Sequence, residues 1–389
     1  MDYYIERLNQ ELRNIFEFWQ KFALQNNQIA PEVSNNGLPV YEAPLGSIYL
    51  SRLLYGSSAA CMFLHESNIR PIADLAYHTL RNQLSNPNGG FYWAVKNDGS
   101  IEHDKLNISM AQAFSILGFS EYYALTCDED VKSEIYHQID FIESKIKHYI
   151  DNSYLDGFKA DWTPLKEQYK SLSTHLHLLE AYSNFIRVSN DNIYKRSIEK
   201  ILELLISRFI HHENGEIIRQ FDMNWGPLPN ETWIGINMET GSIVYDSACT
   251  LQNKTLKNEC GKMLLSLCDH AIETGFDHQY GGMFNRFNNG ELVATHKEWW
   301  VQSESVIALL YAHQISNDKK YLSYAIRLLE YIDNSFSDQD KGEWYDSITR
   351  EGKPVTDTPR LHLWKSMYHN VRYCIKTIKY LQQLFVKVC

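Results

Sequence analysis

Along the first stretch of the chain Ile5, Leu8, Leu12, Phe16, Trp19 and Phe22 recur at helical spacing on one face, with Glu, Arg and Lys opposite. That pattern predicts an amphipathic helix. Comparable segments follow at 46–65, 68–84, 107–126, 131–149, 167–188, 191–210, 238–252, 255–274, 299–315, 318–336 and 363–387, which makes twelve. Between helix pairs the chain repeatedly passes through Gly followed by aromatic or strand-prone residues: NGGFYWAV from 88, LDGFKADW from 155, NGEIIRQF from 214, YGGMFNRF from 280 and KGEWYDSI from 341. These connections recur about every 60 residues, the kind of fixed period that marks a repeat architecture.

Twelve helices in six hairpins can stack as an open solenoid or close into a ring. A solenoid wants polar capping repeats at its ends, yet the last segment, with Val371, Ile375, Ile378, Leu381 and Leu384, is as apolar as the middle ones. The expected fold is therefore all-α, an (α/α)6 barrel closed as two concentric rings. It spans residues 1–389 as one domain, with short β-hairpins gathered in the loops at one end. An axial cleft there is lined by inner-helix ends.

Composition narrows the function. A net charge of -11 with no run of Lys and Arg argues against a nucleic-acid partner. No uninterrupted apolar run reaches the roughly 18 residues of a membrane span, and the start lacks the basic-then-apolar layout of a signal peptide. Seven cysteines, an odd number without a CxxC pair, suit reduced thiols and a cytoplasmic location. No HExxH, carboxylate ladder or GxxxxGK[ST] loop occurs, so neither a metal nor a phosphate cradle is expected. Aromatic residues reach 13%, and Tyr and Trp, with their polar tips, are the usual walls of a wet sugar site.

Five stretches carry a resemblance: PLGSIYLSRLLYGSSAA (44–60), GGFYWAVKNDGS followed by MAQAFSILGFSEYYALT (89–126), KSLSTHLHLLEAYSNFIRV (170–188), HKEWWVQSESV (296–306) and WKSMYHNVRYC (364–374). In order along nearly the whole chain, they resemble the N-acylglucosamine 2-epimerase and cellobiose 2-epimerase family, the cellobiose branch more closely. The resemblance implies an (α/α)6-barrel isomerase of carbohydrate metabolism. It implies epimerisation or isomerisation of a free sugar at C2 through a cis-enediol, with no redox cofactor, and often a homodimer.

It also implies roles. By residue type alone His369 reads as a capping or core histidine; the resemblance makes it the main acid/base, chemistry that suits an imidazole near neutrality. Trp364, five residues earlier, becomes a sugar-stacking wall. His175 and His177 are two apart and point to different sides of a helix. The likeness selects His177 as the group that assists ring opening, leaving His175 structural. Arg52 is expected to hydrogen-bond hydroxyls near the reacting carbon, where its fork of donors suits a diol or enediolate. Trp300 and Glu304 share a helical face, and of Trp299 and Trp300 one is expected to stack on sugar and the other to pack. Trp225 is expected at the sugar from the loop before the eighth helix.

Three departures stand out. Met110 replaces a family Tyr, and Ser173 replaces an Asn four residues before His177. In GINME (235–239) Glu239 fits the family Glu, but Ile236 occupies the place of the second acid/base His, and no His occurs between His212 and His270. Inversion at C2 needs proton delivery to both faces, whereas an aldose–ketose shift uses one face and one base. Glu239, with its pKa raised by burial, is the candidate substitute. Two other readings stay open: a family member that binds a carbohydrate-like ligand without turnover, and a lyase or hydrolase on the same barrel. Tyr368 beside His369 supports the last only weakly, because neighbours on a helix do not face each other.

Overall fold

A computed structural model describes residues 2–102, 109–211 and 216–388. Its helices are α1 (Asp2–Phe18), α2 (Ser47–Leu64), α3 (Arg70–Leu84), α4 (Ser109–Thr126), α5 (Glu129–Phe141), α6 (Leu172–Ser189), α7 (Lys195–Leu204), α8 (Ile234–Thr250), α9 (Lys254–Gly275), α10 (Trp299–Ser316), α11 (Lys319–Ser335) and α12 (Tyr368–Val388). The start of the fourth helix expected at 107, and His212, lie outside the described residues.

The even-numbered helices form an inner ring in which each packs on the next and α12 closes on α2, and each odd-numbered helix packs outside an even one. The sequence dictates this division. Helices α2, α4, α8 and α10 are apolar or small on every side, and nearly every residue of their first three turns is buried. A helix of that kind belongs in an interior. Helix α7, by contrast, buries only the stripe Ile198, Ile201 and Leu202. Five inner helices end at a left-handed residue, His65, Cys127, Asn190, Gln252 or Asn317, with φ between 54° and 59°. After three of these turns Asp128, Asn253 or Asp318 caps the next outer helix through its side-chain oxygen.

The opposite end carries the hairpin loops. Residues directly before inner helices form short antiparallel strands: 45–46 pairs with 94–95, 232–233 with 286–287, and 297–298 with 347–348. Buried lysines pin these loops from inside. Lys170 Nζ donates to Asp151 at 2.7 Å, Lys297 to Asp277 at 3.0 Å, and Lys365 to the carbonyls of Trp344 and Arg360 at 2.6 and 2.8 Å. Side chains of the inner helices grip the same loops. Gln112 exchanges two hydrogen bonds with the Phe91 backbone, Gln302 does so with Met283, and His175 Nε2 accepts from Tyr154 N at 3.0 Å.

Several boundaries differ from the periodicity. The segment 164–171 is a strand, paired with 156–158 and 220–221, so α6 starts at Leu172 rather than 167. Helix α12 starts at Tyr368 rather than 363, because Lys365 ties the preceding turn to two carbonyls. Helix α8 begins four residues early, at Ile234. Helices α1, α5 and α7 each finish in a π-helical turn, at Trp19–Ala23, Ile142–Ile146 and Leu205–Phe209, before the chain extends into strands.

Candidate active site

All six inner helices start at the loop end, so equivalent positions fall at one level around the axis. Arg52, Phe114, His177, Glu239 and Glu304 are each the sixth residue of their helices, and Arg372 of α12 completes the circle. The Arg52 guanidinium lies 4.4 Å from the Phe114 ring centroid and 5.3 Å from that of Tyr368. The Phe114 ring lies 4.3 Å from His177. Arg52 also donates to the Trp364 carbonyl, while its Nε has no protein partner.

Two imidazole–carboxylate pairs sit on this ring. His369 Nδ1 is 2.8 Å from Glu304 Oε1, and His177 Nδ1 is 3.2 Å from Glu180 Oε2. Arg372 joins them: it donates to Glu304 Oε2 through Nη1, and its Nε lies 3.5 Å from Glu180 Oε1. Tyr368 Oη donates to Glu180 at 2.7 Å. Burial would raise both carboxyls. For Glu304 the Arg372 charge and the His369 hydrogen bond outweigh it, and for Glu180 the His177 bond and the Arg372 charge do; both are held below the usual range. An ionised carboxylate only accepts, so Nδ1 of each imidazole is the donor and Nε2 keeps the lone pair. Burial pushes the His369 pKa down to about 4 against the pull of Glu304, and lowers that of His177 against the pull of Glu180. Both imidazoles are neutral bases at pH 7.

Glu239 behaves oppositely. Burial, followed by repulsion from Glu304, raises its pKa well above the carboxylate range, and its Oε1 is buried without a hydrogen-bond partner. Two guanidinium charges, Arg52 and Arg372, face three carboxyl groups, and the charges balance when Glu239 holds a proton. One nitrogen of His369 and one oxygen each of Glu239 and Glu304 lie within 4.8 Å of one another. A cation fits that spacing, but Glu304 already serves His369 and Arg372, and the two arginines supply the positive charge. The donor set therefore favours proton transfer: environments that push two pKa values apart define an acid and a base.

The remaining expected residues divide. Trp299 and Trp300 both flank His369, at ring distances of 6.1 and 5.9 Å. Trp299 is buried, while Trp300 is partly open and rests on Gly235 of α8, where an added Cβ would meet its ring at 2.6 Å. Ser173, half-buried, and Met110, buried, lie on the first turns of α6 and α4, one turn before His177 and Phe114. Ile236 is half-buried one turn before Glu239. Trp364 is 38% exposed, its ring 4.9 Å from Trp93, at the loop end. Trp225 is not brought to this cluster by any of its contacts: its indole donates to Asp151 at 2.9 Å, Lys170 lies 4.3 Å over it, and Phe209 and Phe221 abut it. These contacts anchor the loop. His175 likewise serves the loop, with Nδ1 2.7 Å from the Ser171 carbonyl.

Three partners were not singled out by sequence, Glu180, Arg372 and Phe114, and Tyr368 was weighed only as a neighbour of His369. Helical spacing carried part of the signal, since Glu180 follows His177 by three and Arg372 follows Tyr368 by four. The bonds from α12 to Glu180 and Glu304 have no such local signature.

A curated relative from Dictyoglomus turgidum, named cellobiose 2-epimerase, is 29% identical over 96% of this chain and 97% of its own length. Another from Marinomonas mediterranea, named D-mannose isomerase, is 24% identical over 82% of each. The solved structure of a cellobiose 2-epimerase from Bacillus thermoamylovorans superposes with a TM-score of 0.90 at 24% identity, covering 97% of this chain and all of that one. The model of the N-acylglucosamine 2-epimerase family matches residues 31–372. With more than half of its length matched in this way, the chain belongs to the N-acylglucosamine 2-epimerase family.

Proposed function

We propose that the protein is a sugar 2-epimerase or aldose–ketose isomerase that works on a free sugar or oligosaccharide through a cis-enediol, with His369 Nε2 as the base. The observation that carries this reading is the pairing of a neutral His369, its tautomer set by an ionised Glu304, with a protonated Glu239 that has an oxygen within 4.8 Å of one imidazole nitrogen. The open-chain aldose lies over the ring with its C2–H toward His369. Nε2 takes the C2 proton, the electron pair moves into the C1–C2 bond, and the carbonyl oxygen becomes an enediolate oxygen. Arg52, whose Nε has no protein partner, donates to that oxygen or its neighbouring hydroxyl. Glu239 then delivers its proton to the opposite face of C2 as the C1 carbonyl re-forms, giving the epimer, or the O2 hydroxyl proton passes to O1 and the imidazolium returns its proton to C1 on the same face as the C2 carbonyl forms, giving the ketose. His177 assists ring opening.

The names of the Dictyoglomus and Marinomonas relatives support the same pair of outcomes. Glu239 supplies what Ile236 cannot, and it keeps epimerisation within reach of a site with one imidazole at the reacting carbon. The test is proton NMR of cellobiose, mannose and glucose in D2O with the wild-type protein and His369→Ala. Deuterium entering C2 or C1 in the wild type and not in the variant is expected. Equal exchange in both removes His369 from its role, and no exchange in the wild type with saturable sugar binding favours a ligand-binding family member.

A further inference from the structure

Trp364 presents a large, part-exposed indole at the loop end on a backbone that is held at both its carbonyl and its N–H. The carbonyl accepts from Arg52 of α2. The N–H donates to His362 Nδ1 at 3.3 Å, within a turn closed by Lys365 N donating to the His362 carbonyl at 2.8 Å. His362 Nε2 lies 2.9 Å from Asp346 Oδ1. A carboxylate only accepts, so Nε2 carries the imidazole proton and Nδ1 keeps the lone pair that the Trp364 N–H meets. Both ring nitrogens are spent inside the protein, which leaves His362 none with which to serve as a second acid/base.

The other end of this link is Trp299. The Asp346 carbonyl accepts from Trp299 N at 3.1 Å at the start of α10, and the His362 ring meets the Trp299 ring edge-on at 6.2 Å. Lys365 Nζ, in the same turn as His362, lies 5.4 Å over the Trp299 ring. Trp299 in turn flanks His369. One imidazole–carboxylate pair therefore ties the exposed indole of Trp364 to the indole beside the base. An indole left open to water gains little for the fold from its apolar face. Fixed in place, it offers that face to a sugar ring with no ordering cost left to meet on binding.

We propose that His362 and Asp346 are positioning residues of the sugar site, whose bond holds the Trp364 indole where it receives the sugar. The inference rests on the reading of that site as a sugar site, and not on the reaction there. Titration calorimetry of the full chain carrying His369→Ala, which removes turnover, with cellobiose and separately with mannose, tests it. Adding His362→Ala is expected to weaken the affinity for the sugar that binds by about fivefold or more. Added to Trp364→Ala it should cost nothing further, because the loss runs through that indole. With His369 intact the same loss is expected in KM, with kcat held within about twofold. Should His362→Ala fail to fold, Asp346→Ala frees the same imidazole and carries the same expectations. Unchanged affinity in both variants, an equal loss with and without Trp364, or no saturable binding of either sugar overturns the proposal. Absence of deuterium exchange in the wild type, with the affinity pattern as expected, removes the reaction and supports the inference; exchange with unchanged affinities removes the inference alone.

Discussion

The two imidazole–carboxylate pairs look alike on paper and differ in their surroundings. His369 is 2.8 Å from Glu304, flanked by two Trp rings, with the proton-bearing Glu239 at hand. His177 is 3.2 Å from a Glu180 that also accepts from Tyr368, and it packs on the Phe114 ring. Both carboxylates are shared, Glu304 with Arg372 and Glu180 with Tyr368, so the proton-bearing neighbour of His369 is what sets the pairs apart. In the proposed reaction the first pair moves the proton, with Glu239 as the neighbouring acid, and the second assists. The difference lies in the partners of each imidazole.

Removing each group in turn tests that contrast. His369→Ala should lower kcat/KM, read by solvent deuterium entering the sugar, by about 1,000-fold or more, the upper range for a general base. Arg372→Met strands two buried carboxylates, Glu304 and Glu180, and should destabilise the fold by about 3–5 kcal/mol, read by chemical denaturation. If it costs nothing, the two pairs are not coupled through that guanidinium. Glu239→Gln should cut epimer formation about 100-fold while sparing exchange at C2, because abstraction by His369 needs no second acid. His177→Ala should cost only about tenfold in kcat. A loss as large as that of His369→Ala would erase the distinction between the pairs.

The pH profile sharpens the same comparison. His369 acts as a base only when deprotonated, and burial lowers its pKa to about 4, so the acid limb of kcat/KM falls below that pH. Glu239 acts as an acid only when protonated. Its raised pKa keeps the proton on at neutrality, and epimerisation declines as alkaline pH removes it. In Glu239→Gln the residual C2 exchange should lose that alkaline limb.

Much of the barrel was legible in the sequence, because an inner helix apolar on all sides and an outer helix with one stripe leave different patterns. What misled the periodicity was polar sequence in regular structure. Residues 167–171, EQYKS, read as the start of a helix, but pairing with distant strands holds them extended. Residues 363–367 extended the helical pattern until the buried Lys365 turned them. In the site, Arg52, His177, Glu239, Glu304 and His369 were legible because the family motif fixes their register, and the structure brings them to one level. For Trp225 the sequence did not show its bond to Asp151, since an indole near a sugar site looks the same in sequence as one that anchors a loop. Glu180 and Arg372 were passed over because their partners lie across the ring.

The central claim is that His369 rests as a neutral imidazole with its proton on Nδ1. Nitrogen-15 NMR of the imidazoles, recorded at neutral pH with His369→Gln to assign the signal, reads this directly. The account predicts a protonated Nδ1 and a bare Nε2, unchanged down to about pH 5 and titrating near the pKa of about 4. A proton on Nε2, or an imidazolium at neutral pH, would contradict it.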